Sequence, residues 1–512
     1  MIEEAALAAA EVTVSDLFEA QVTCHPQAIA IQNDGLTLTY AELRDQIDRL
    51  CSLLISHGVR RGARVAILSE NRWEFLALLL ANARLGSISV CMNWRQSVDE
   101  LDHCARLVEP DAAFFSPRFA EHVPLLEAAG AEHVFELGPD LDALLDAVPL
   151  ATPPERVRVE DGFQIIYTSG TTGKPKAALI SHRATIARGM LSASDGVVPR
   201  GSTFLAWPPM FHMAGTETSL LTLFRGGKVI VIDGAKVDLL CDLIASEDNL
   251  AWVQLMPGMI DRVIDELKAR GVKPKPMHMV GSMPDFLPRH FIAEATRFFN
   301  APFRNTFGSS ECGPVPVGGS FVPVGVVPDN LDKSQASLCR LRFVDEEGRD
   351  VAEGEPGELL VRGPTLFSGY WNAPEVNREV FADGWFHTGD VMVRTAEGKL
   401  RFVDRRKYLI KSGGENIYPS EIESVLMSSP RVQEAIVVRR RDAKWGEVPV
   451  AFVVPKDPLL TEAEAIDLCR GRIANYKLPR QVLFVSDAEI PRNVTGKPLR
   501  NELEARLPEP AA

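Results

Sequence analysis

The chain has 512 residues, more than one compact core holds, so its length suggests two to four domains. Hydrophobic residues make up 46% and charged residues 24% of the sequence, which is typical of a soluble globular protein. The formal net charge is −14. This acidity argues against non-specific binding to nucleic acid, because that binding needs a basic surface.

Membrane and secretory classes are also disfavoured. The most apolar stretch, residues 75–83, is about half as long as a membrane-spanning helix and is flanked by Glu74 and Arg84. The N-terminal segment has no basic start and no long apolar run, so it does not resemble a signal peptide. The eight cysteines are scattered without zinc-ligand spacing, which favours reduced thiols. We therefore expect a cytoplasmic protein without an integral membrane segment.

The first half of the chain alternates helical and strand patterns. Thr39 and Glu42 form a capping box ahead of apolar residues at helical spacing, and Gly58 ends that helix. Next come a strand over 64–68 and a helix over 73–84. Further strands are predicted over residues 87–92, 163–167, 228–232, 252–256, 277–280 and 303–307. Strands that alternate with helices predict an α/β fold with layered, largely parallel sheets.

The pattern changes after about residue 330, where short strands and Gly-rich turns predict a β-rich subdomain up to about residue 403. A small α/β unit follows. Ser420 with Glu423 and Thr461 with Glu464 are predicted to cap its helices, and residues 435–440 and 450–455 are predicted strands. We predict an N-terminal domain of residues 1–403, a hinge at 404–407 and a C-terminal domain of residues 408–512.

Residues 167–176, YTSGTTGKPK, directly follow an apolar strand. The glycines allow close backbone approach, the hydroxyl groups donate hydrogen bonds and the two lysines supply positive charge, as a loop around a polyphosphate requires. The segment is not a Walker A loop, because Pro175 stands where that loop has Ser or Thr. Clusters of this composition are often solvated turns, but the preceding strand and the Lys-Pro-Lys sequence favour phosphate binding. The candidate contacts are Thr168, Ser169, Gly170, Thr171, Thr172, Gly173, Lys174 and Lys176.

This segment resembles the phosphate-loop signature of the adenylate-forming superfamily, which includes acyl- and aryl-CoA synthetases, peptide-synthetase adenylation domains and beetle luciferases. Further signatures follow in the family's order, from about residue 14 to about residue 505. The resemblance implies a large N-terminal domain of layered α/β sheets with a β-rich subdomain, and a small mobile C-terminal α/β domain. It also implies that ATP, Mg²⁺ and coenzyme A are used to convert a carboxylic acid to acyl-AMP, with release of pyrophosphate, and then to acyl-CoA.

The segment 307–311, FGSSE, resembles the family's aromatic-Gly-x-Thr-Glu motif. The resemblance implies that Phe307 stacks on adenine and that Glu311, with Thr168, binds Mg²⁺. Phe307 and Ser310 replace the commoner Tyr and Thr but keep the stacking face and the hydroxyl. Met283, in the segment GSMP, is larger than the family's Ala and is expected to reshape the pocket wall. The residues implied in this part of the ATP and AMP site are Gly281, Ser282, Met283, Asn305, Thr306, Phe307, Gly308, Ser309 and Ser310, with the Ser310 hydroxyl on the α-phosphate.

Three C-terminal signatures complete the implied nucleotide site. Asp390, in the segment HTGD, matches the family's ribose-binding carboxylate, and Arg405 matches its second ribose and phosphate contact, with Phe402 alongside. Lys407 stands at the family's hinge position. Lys497 ends a Pro-x-x-x-x-Gly-Lys motif, which implies the catalytic lysine that stabilises charge developing on the α-phosphate. Outside such a motif, a lysine near the end of a chain is usually a solvated surface group.

The segment 208–215, PPMFHMAG, resembles the family's acyl-pocket segment. His212 is implied to serve catalysis by lining the passage between acid and thiol, not as a general base, although a histidine among apolar residues is often a core residue. The implied pocket has no acidic residue to hold an amino group, so a fatty, aromatic or polycyclic apolar acid is favoured over an amino acid. Its residues are Trp207, Phe211, His212, Met213, Gly215, Thr216, Met256, Pro257, Met283, Gly308, Val317 and Gly318.

Two C-terminal segments resemble the surface that faces coenzyme A. The implied contacts are Lys411, Ser412, Gly413, Gly414, Trp445 and Lys477. The glycines would let pantetheine pair with the backbone, and Trp445 would pack on the cofactor unless it is a core residue. This surface and Lys497 are expected on different faces of one small domain, so the resemblance implies that the domain turns about Lys407.

Two alternatives stay open. A stand-alone adenylation enzyme would pass the acyl group to a separate carrier protein. A non-catalytic nucleotide-binding regulator would keep the fold without the chemistry, but the presence of Glu311, Asp390 and Lys497 argues against it. The resemblance suggests a homodimer.

Overall fold

The computed structural model describes residues 6, 9–168, 174–256, 258–284, 287–413, 415–442, 444–492 and 497–507. The chain divides into two compact units. The first comprises residues 1–340 and 362–386, and the second comprises residues 341–361 and 387–512. The sequence pattern places residues 387–403 before the hinge, in the N-terminal domain. In the structure they group with the C-terminal residues, because Val391 packs against Leu409 and Tyr418. The hinge itself stays a prediction.

The strands of the first unit, in chain order, are β1 (Ile29–Asn33), β2 (Leu36–Thr39), β3 (Arg64–Leu68), β4 (Ile88–Cys91), β5 (Ala112–Phe115), β6 (His133–Glu136), β7 (Gly162–Thr168), β8 (Lys176–Ser181), β9 (Thr203–Ala206), β10 (Lys228–Val231), β11 (Leu250–Val253), β12 (Met277–Val280), β13 (Phe303–Arg304) and β14 (Phe321–Val322). Its helices are α1 (Val14–Cys24), α2 (Tyr40–Ser56), α3 (Trp73–Leu85), α4 (Val98–Val108), α5 (Val123–Ala128), α6 (Pro139–Ala147), α7 (His182–Ser194), α8 (Met213–Phe224), α9 (Val237–Ser246), α10 (Ile260–Ala269), α11 (Arg289–Phe299) and α12 (Pro374–Val380).

Two sheets form the frame of the first unit. In the described residues one has the order β6-β5-β3-β4-β7-β8 and the other the order β14-β13-β12-β11-β9-β10-β1-β2. Neighbouring strands run parallel except in the pairs β7 with β8, β1 with β2, and β13 with β14. Helix α3 is buried along nearly its whole length. The predicted α/β class with largely parallel sheets is therefore confirmed.

The remaining strands are β15 (Arg340–Val344), β16 (Pro356–Arg362), β17 (Phe386–Arg394), β18 (Leu400–Arg405), β19 (Ile410–Ser412), β20 (Glu415–Ile417), β21 (Val432–Asp442), β22 (Gly446–Pro455) and β23 (Gln481–Phe484), and the helices are α13 (Pro419–Met427), α14 (Glu462–Cys469) and α15 (Arg500–Glu504). Strands β15 to β18 form one sheet in sequence order. A second sheet has the order β20-β19-β22-β21, with β23 beside β22. The predicted change to β-rich structure after about residue 330 is confirmed.

Two of the three predicted capping boxes are confirmed. Thr39 with Glu42 caps α2, and Thr461 with Glu464 caps α14. The predicted box of Ser420 with Glu423 is wrong, because α13 begins at Pro419 and has no side-chain cap. Glu423 instead accepts a hydrogen bond from the Val437 N–H and pairs with Arg500. It therefore connects α13 to β21 and α15 and does not cap its own helix.

Two predicted strands end three residues earlier than the sequence suggests. The strand predicted over 252–256 ends at Val253, and the strand predicted over 303–307 ends at Arg304. Beyond Arg304 the side chains of Asn305 and Thr306 hydrogen-bond to other loops, which takes the backbone out of the sheet. The residues that follow both strands are therefore loops at the carboxyl edge of a parallel sheet, where ligands usually bind. No helix in the described ranges is long and apolar enough to cross a bilayer.

Candidate active site

The predicted phosphate loop connects two antiparallel strands of the first unit. Thr168 at the end of β7 lies opposite Lys176 at the start of β8. Lys174 is exposed and Lys176 is half-buried. The predicted contacts Ser169, Gly170, Thr171, Thr172 and Gly173 lie outside the described residues. The two ends of the loop thus present one hydroxyl and two cations at the same sheet edge.

Tyr370 connects the phosphate loop to the predicted magnesium ligand. The Lys176 ammonium lies 5.1 Å from the centroid of the Tyr370 ring. The Tyr370 hydroxyl donates a hydrogen bond to Oε1 of Glu311 at 2.9 Å. In the described residues the Glu311 side chain has no other hydrogen-bond partner, so its second oxygen is available to a cation. Carboxylate oxygen is the ligand type that Mg²⁺ prefers, so the residues present fit this ion.

Arg188 supports the backbone of the predicted FGSSE segment through hydrogen bonds. Its side chain is 1% exposed and donates to the carbonyl oxygens of Ser310 at 3.0 Å and Glu311 at 3.1 Å. The same guanidinium pairs with Glu217 of α8 at 2.6 Å. A buried arginine satisfied in this way makes the backbone of the segment rigid. Sequence analysis missed Arg188, although a charged residue on the buried stripe of α7 is a visible signal.

The two segments predicted around adenine are brought together. The Met283 N–H donates to the Thr306 hydroxyl at 2.9 Å, and the Ser282 and Thr306 hydroxyls are 3.3 Å apart. Gly281 has a φ of +79°, and a Cβ there would lie 2.1 Å from the Phe303 ring, so no larger residue fits. The departure of the GSMP segment from the family pattern therefore leaves its essential glycine in place.

Two buried amide oxygens at this sheet edge have no partner among the described residues. They belong to Asn305, which is 5% exposed, and Gln254, which is also 5% exposed. The Asn305 amide nitrogen donates to the Leu331 carbonyl, so its oxygen is held in place by a fixed contact. An unpaired buried acceptor costs free energy unless a ligand or water pairs with it. The amino group of an adenine would satisfy the Asn305 oxygen, and Asn305 is one of the residues predicted in the ATP and AMP site.

Six of the predicted acyl-pocket residues lie in or just before the first turn of α8. Phe211 and Thr216 are buried, whereas His212, Met213, Met256 and Met283 are partly exposed and can contact a ligand. Pro257 lies outside the described residues. His212 is the N-cap of α8, and its Nδ1 accepts a hydrogen bond from the Ala214 N–H at 3.2 Å. The neutral ring therefore has a structural function here, in addition to the predicted pocket-lining one.

Asn71, another residue that sequence analysis missed, shapes the turn before this helix. Its amide nitrogen lies within hydrogen-bond distance of four backbone carbonyls, including that of Pro208 at 2.9 Å. Its oxygen accepts from the Met210 N–H at 2.9 Å. The Trp207 indole donates to the Gln254 carbonyl at 2.7 Å. These contacts fix the wall of the predicted acyl pocket.

A small cleft joins the predicted adenine and acyl residues. It is lined by Asn305, Thr306 and Phe307 from the first set and by Val317 and Gly318 from the second. Two charged residues that sequence analysis did not single out, Asp195 and Arg304, also line it.

Two arginines surround an indole next to the acyl-pocket segment. The guanidinium carbons of Arg95 and Arg118 lie 5.0 Å and 4.7 Å from the Trp94 ring centroid. Trp94 in turn meets Phe211 edge to face at 6.1 Å. Arg118 pairs loosely with Asp233 at 3.5 Å and is half exposed. This Trp94 cluster brings two guanidinium groups beside the acyl-pocket segment.

The predicted ribose contacts meet in the second unit. Asp390 and Arg405 lie opposite each other on β17 and β18, and their Oδ1 and Nε atoms are 3.1 Å apart. Thr388 donates to the Leu359 carbonyl and accepts from the Asp390 N–H, which orients the turn. Phe402 lies on β18 and is partly exposed. Glu358, which sequence analysis missed, is buried between Arg406 and His387.

Four of the predicted CoA-facing residues, Lys411, Ser412, Gly413 and Trp445, lie together at the β19–β22 edge. Ser412 lies opposite Gly446, and the Gly413 N–H donates to the Trp445 carbonyl at 2.8 Å. Gly413 has a φ of +61°, and a Cβ there would lie 2.7 Å from the Trp445 ring. Trp445 is 38% exposed, so it is not a core residue. Gly414 lies outside the described residues.

Four predicted lysines of the second unit differ in their surroundings. Lys411 pairs with Glu346 at 2.8 Å, and Lys477 pairs with Glu421 at 2.7 Å. Lys407 lies in a short turn with its ammonium 4.9 Å from the Tyr408 ring centroid. Lys497 is exposed, and the motif residues before it, 493–496, lie outside the described residues.

Comparison with known proteins adds family information. A family model described as AMP-binding enzyme matches residues 18–371, and one described as AMP-binding enzyme C-terminal domain matches residues 421–497. The predicted hinge lies in the interval between these matches.

Three known proteins are similar along nearly the whole chain. The indoleacetate–CoA ligase of Aromatoleum aromaticum is 33% identical over 96% of this chain and 97% of its own. The feruloyl-CoA synthase of an Amycolatopsis species is 32% identical, with coverages of 94% and 96%. The structure of O-succinylbenzoate coenzyme A synthetase from Bacillus subtilis with ATP and magnesium has a TM-score of 0.80 at 26% identity, with coverages of 95% and 98%.

Proposed function

The chain belongs to the AMP-binding enzyme family and is an ATP-dependent acid–CoA ligase, and we propose that its acid is aromatic. The main support for ATP binding is that Tyr370 contacts both Lys176 and Glu311. This contact brings a phosphate-binding cation and a proposed magnesium ligand to the same edge of the sheet. Support for an aromatic acid comes from Trp207 and Phe211 in the pocket wall. The names of the indoleacetate and feruloyl relatives also support it.

In the first half-reaction, we propose that the acid carboxylate attacks the α-phosphate of ATP and that pyrophosphate leaves. Lys174 and Lys176 bind the departing phosphates, and Phe307 holds the adenine by stacking. Mg²⁺, held by Glu311 and Thr168, would supply neutralising charge to the phosphate oxygens. The Lys497 ammonium opposes the charge that builds on the α-phosphate.

Asp390 and Arg405 bind the ribose in this proposal. A carboxylate accepts from both ribose hydroxyls, and the Arg405 contact orients the Asp390 carboxylate.

In the second half-reaction, the thiol of coenzyme A attacks the acyl carbonyl and AMP leaves. The Gly413 backbone and Trp445 would pair with and cover the pantetheine arm, and His212 would line its path. We propose that the second unit turns about Lys407 between the two half-reactions. Lys407→Pro should slow thioester formation more than adenylation, because proline fixes φ at the hinge. If thioester formation is unchanged, the hinge assignment is wrong.

The Trp94 cluster has the charge to bind the phosphates of coenzyme A. Arg95 and Arg118 both present guanidinium groups beside the segment that contains His212. Arg118→Ala should raise the KM for coenzyme A but not for dephospho-coenzyme A, which lacks the 3′-phosphate. Equal changes for both thiols would contradict a contact with the 3′-phosphate.

A panel of aromatic, fatty and polycyclic acids, assayed for pyrophosphate release, tests the acid class. We expect aryl and arylalkanoic acids to give the highest kcat/KM. Coenzyme A-dependent release of AMP separates the ligase from an adenylation enzyme that loads a carrier protein. Absence of acid-dependent pyrophosphate exchange would instead indicate a nucleotide-binding regulator. The homodimer and the cytoplasmic location stay predictions, testable by light scattering and cell fractionation.

A further inference from the structure

Glu358 is a buried carboxylate beside the proposed ribose contacts, and it takes no part in the two proposed half-reactions. It lies on β16, which is adjacent to β17 in the sheet, and it is 7% exposed. Burial of a carboxylate costs free energy unless its oxygens have partners. Those partners therefore indicate which part of the second unit Glu358 holds in place.

One oxygen of Glu358 holds the turn that leads into Asp390. Its Oε1 accepts a hydrogen bond from the Gly389 N–H at 3.3 Å. Gly389 has a φ of +71°, which interrupts the extended backbone of β17 immediately before Asp390. The neighbouring Leu359 carbonyl accepts from the Thr388 hydroxyl at 2.8 Å. Two consecutive residues of β16 thus fix the two residues that precede the Asp390 carboxylate.

The other oxygen holds the chain next to Arg405. Glu358 Oε2 accepts from the Arg406 guanidinium at 2.7 Å, and His387 Nδ1 lies 3.5 Å from the same oxygen. Hydrogen bonds between charged groups are shorter and stronger than neutral ones. Arg406 directly follows Arg405, whose Nε lies 3.1 Å from Asp390 Oδ1. One carboxylate therefore connects the residue before Asp390 to the residue after Arg405.

We propose that Glu358 is a positioning residue that sets the distance and angle at which the Asp390 carboxylate meets the ribose hydroxyls of ATP. It acts through the Gly389 N–H and the Arg406 guanidinium and has no contact with the nucleotide itself. This inference rests on the proposed function, because it takes Asp390 and Arg405 as the ribose contacts. It assigns to Glu358 the preference of the enzyme for a nucleotide that carries both ribose hydroxyls.

The preference depends on a carboxylate that is held still. A carboxylate accepts from two hydroxyls at once only if the distances and angles to both are suitable. When one hydroxyl is missing, a fixed carboxylate loses that hydrogen bond and does not shift to replace it. If the turn before Asp390 is released, the carboxylate moves to other donors, and the preference for the complete ribose falls. A residue that only stabilised the sheet would affect all adenine nucleotides equally.

The test compares ATP with 2′-deoxyATP and 3′-deoxyATP in acid-dependent pyrophosphate release. We expect the wild-type kcat/KM to be about 10-fold or more higher for ATP, the usual effect of one hydrogen bond to a charged group. Glu358→Gln keeps the size of the side chain but removes its charge. It should reduce this preference to about threefold or less, mainly through the KM for ATP, and leave the KM for the acid within about threefold of the wild-type value. Glu358→Asp, which keeps the charge, should retain more of the preference.

The measurement does not depend on full folding or on the choice of acid. The preference is a ratio of two values from one sample, so an unfolded fraction cancels. The Kd of each nucleotide, measured by titration calorimetry without an acid, should show the same change in ratio. Glu353→Gln, at an exposed glutamate ahead of β16, is the matched control and should keep the wild-type preference. Arg406→Gln, at a side chain that is 49% exposed, should reduce the preference about twofold or more and serves as the test if Glu358→Gln does not fold.

Asp390→Asn separates this inference from the proposed function. If the wild-type enzyme uses all three nucleotides equally well, or if Asp390→Asn keeps the preference, the proposed ribose contact itself is wrong. If Asp390→Asn loses the preference while Glu358→Gln and Arg406→Gln both keep it, positioning by Glu358 is refuted and the ribose contact stands. Equal loss of activity with all three nucleotides in Glu358→Gln would show that Glu358 only stabilises the sheet.

Discussion

The hydroxyl of Tyr370 donates a 2.9 Å hydrogen bond to Glu311, a residue 59 positions earlier in the chain. The same ring carries the Lys176 ammonium on its face, 5.1 Å from the centroid. One aromatic side chain thereby orients the proposed magnesium ligand and a proposed phosphate contact. Because of this arrangement, we expect a change at Tyr370 to alter the kinetics with ATP and Mg²⁺ and not the preference among acids.

Tyr370→Phe keeps the ring but removes the hydroxyl. Hydrogen bonds to charged groups contribute about 1.5–3 kcal/mol, so we expect kcat/KM for ATP to fall about 10-fold or more. The Mg²⁺ concentration for half-maximal rate should rise, because Glu311 is no longer held in place. Tyr476→Phe, at a tyrosine that is 42% exposed, is the control. An unchanged Mg²⁺ dependence would argue against this function of Tyr370.

Arg188→Met tests the buried support of the same segment. The change removes the arginine donor to the Glu217 carboxylate and to the carbonyls of Ser310 and Thr365, whereas the Glu311 carbonyl keeps its bond from the Phe367 N–H. We expect a loss of about 3–5 kcal/mol in the free energy of unfolding, measured by urea denaturation. Adding Glu217→Gln should recover part of that loss, because the unpaired charge is removed. Arg262→Met is the exposed control, and a similar loss there would contradict the explanation.

Lys497→Ala tests the proposed charge stabilisation. Removing a donor to developing charge typically costs about 10²–10³-fold in rate, so acid-dependent pyrophosphate exchange should fall by that factor. Conversion of supplied acyl-adenylate to the thioester should be spared. Lys456→Ala, at another exposed lysine of the second unit, should change neither step. Equal loss in both half-reactions of Lys497→Ala would rule out the proposed function.

Gly413→Ala tests the CoA-facing surface. An added Cβ would lie 2.7 Å from the Trp445 ring and would strain a residue whose φ is +61°. We expect slower thioester formation and near-normal adenylation, measured as separate half-reactions. Gly398→Ala is a matched control, because Gly398 also has a positive φ, +73°, but no atom within 4 Å of the added Cβ. Loss of adenylation in Gly413→Ala alone would place the glycine elsewhere in the mechanism.

His182 predicts a dependence of stability on pH. Its ring is fully buried, and burial lowers its pKa to about 4, against the pull of Asp161 and Asp16. Its Nδ1 accepts a hydrogen bond from the Val14 N–H, which requires the neutral ring. Below pH 6.5 the unfolded chain binds this proton while the folded protein does not, so stability falls as pH drops from about 6.5 to about 4.

The expected size of this effect is about 2 kcal/mol between pH 7 and pH 5. Urea denaturation at the two pH values measures it. His182→Gln should lower stability at pH 7 and should lose this part of the pH dependence, because glutamine does not titrate. A variant with the same pH dependence as the wild type would show that other groups cause it.

The sequence by itself determined the features that depend on neighbouring residues. The capping boxes at Thr39 and Thr461 and the alternation of strands and helices follow from local hydrogen bonds and side-chain periodicity. The order of the short signatures was enough to indicate adenylate formation and coenzyme A. The box at Ser420 failed because Pro419 already starts the helix, and a tertiary partner takes Glu423.

Only the tertiary structure decided which distant residues meet. Tyr370 reaches Glu311, Arg188 reaches carbonyls more than 120 positions away, and Asp195 meets Arg304 at one cleft because the sheet order brings their elements together. No local pattern records sheet order or the direction of a buried side chain. Family signatures therefore pointed to the chemistry, whereas the contacts that orient the site residues depend on packing between elements far apart in the chain.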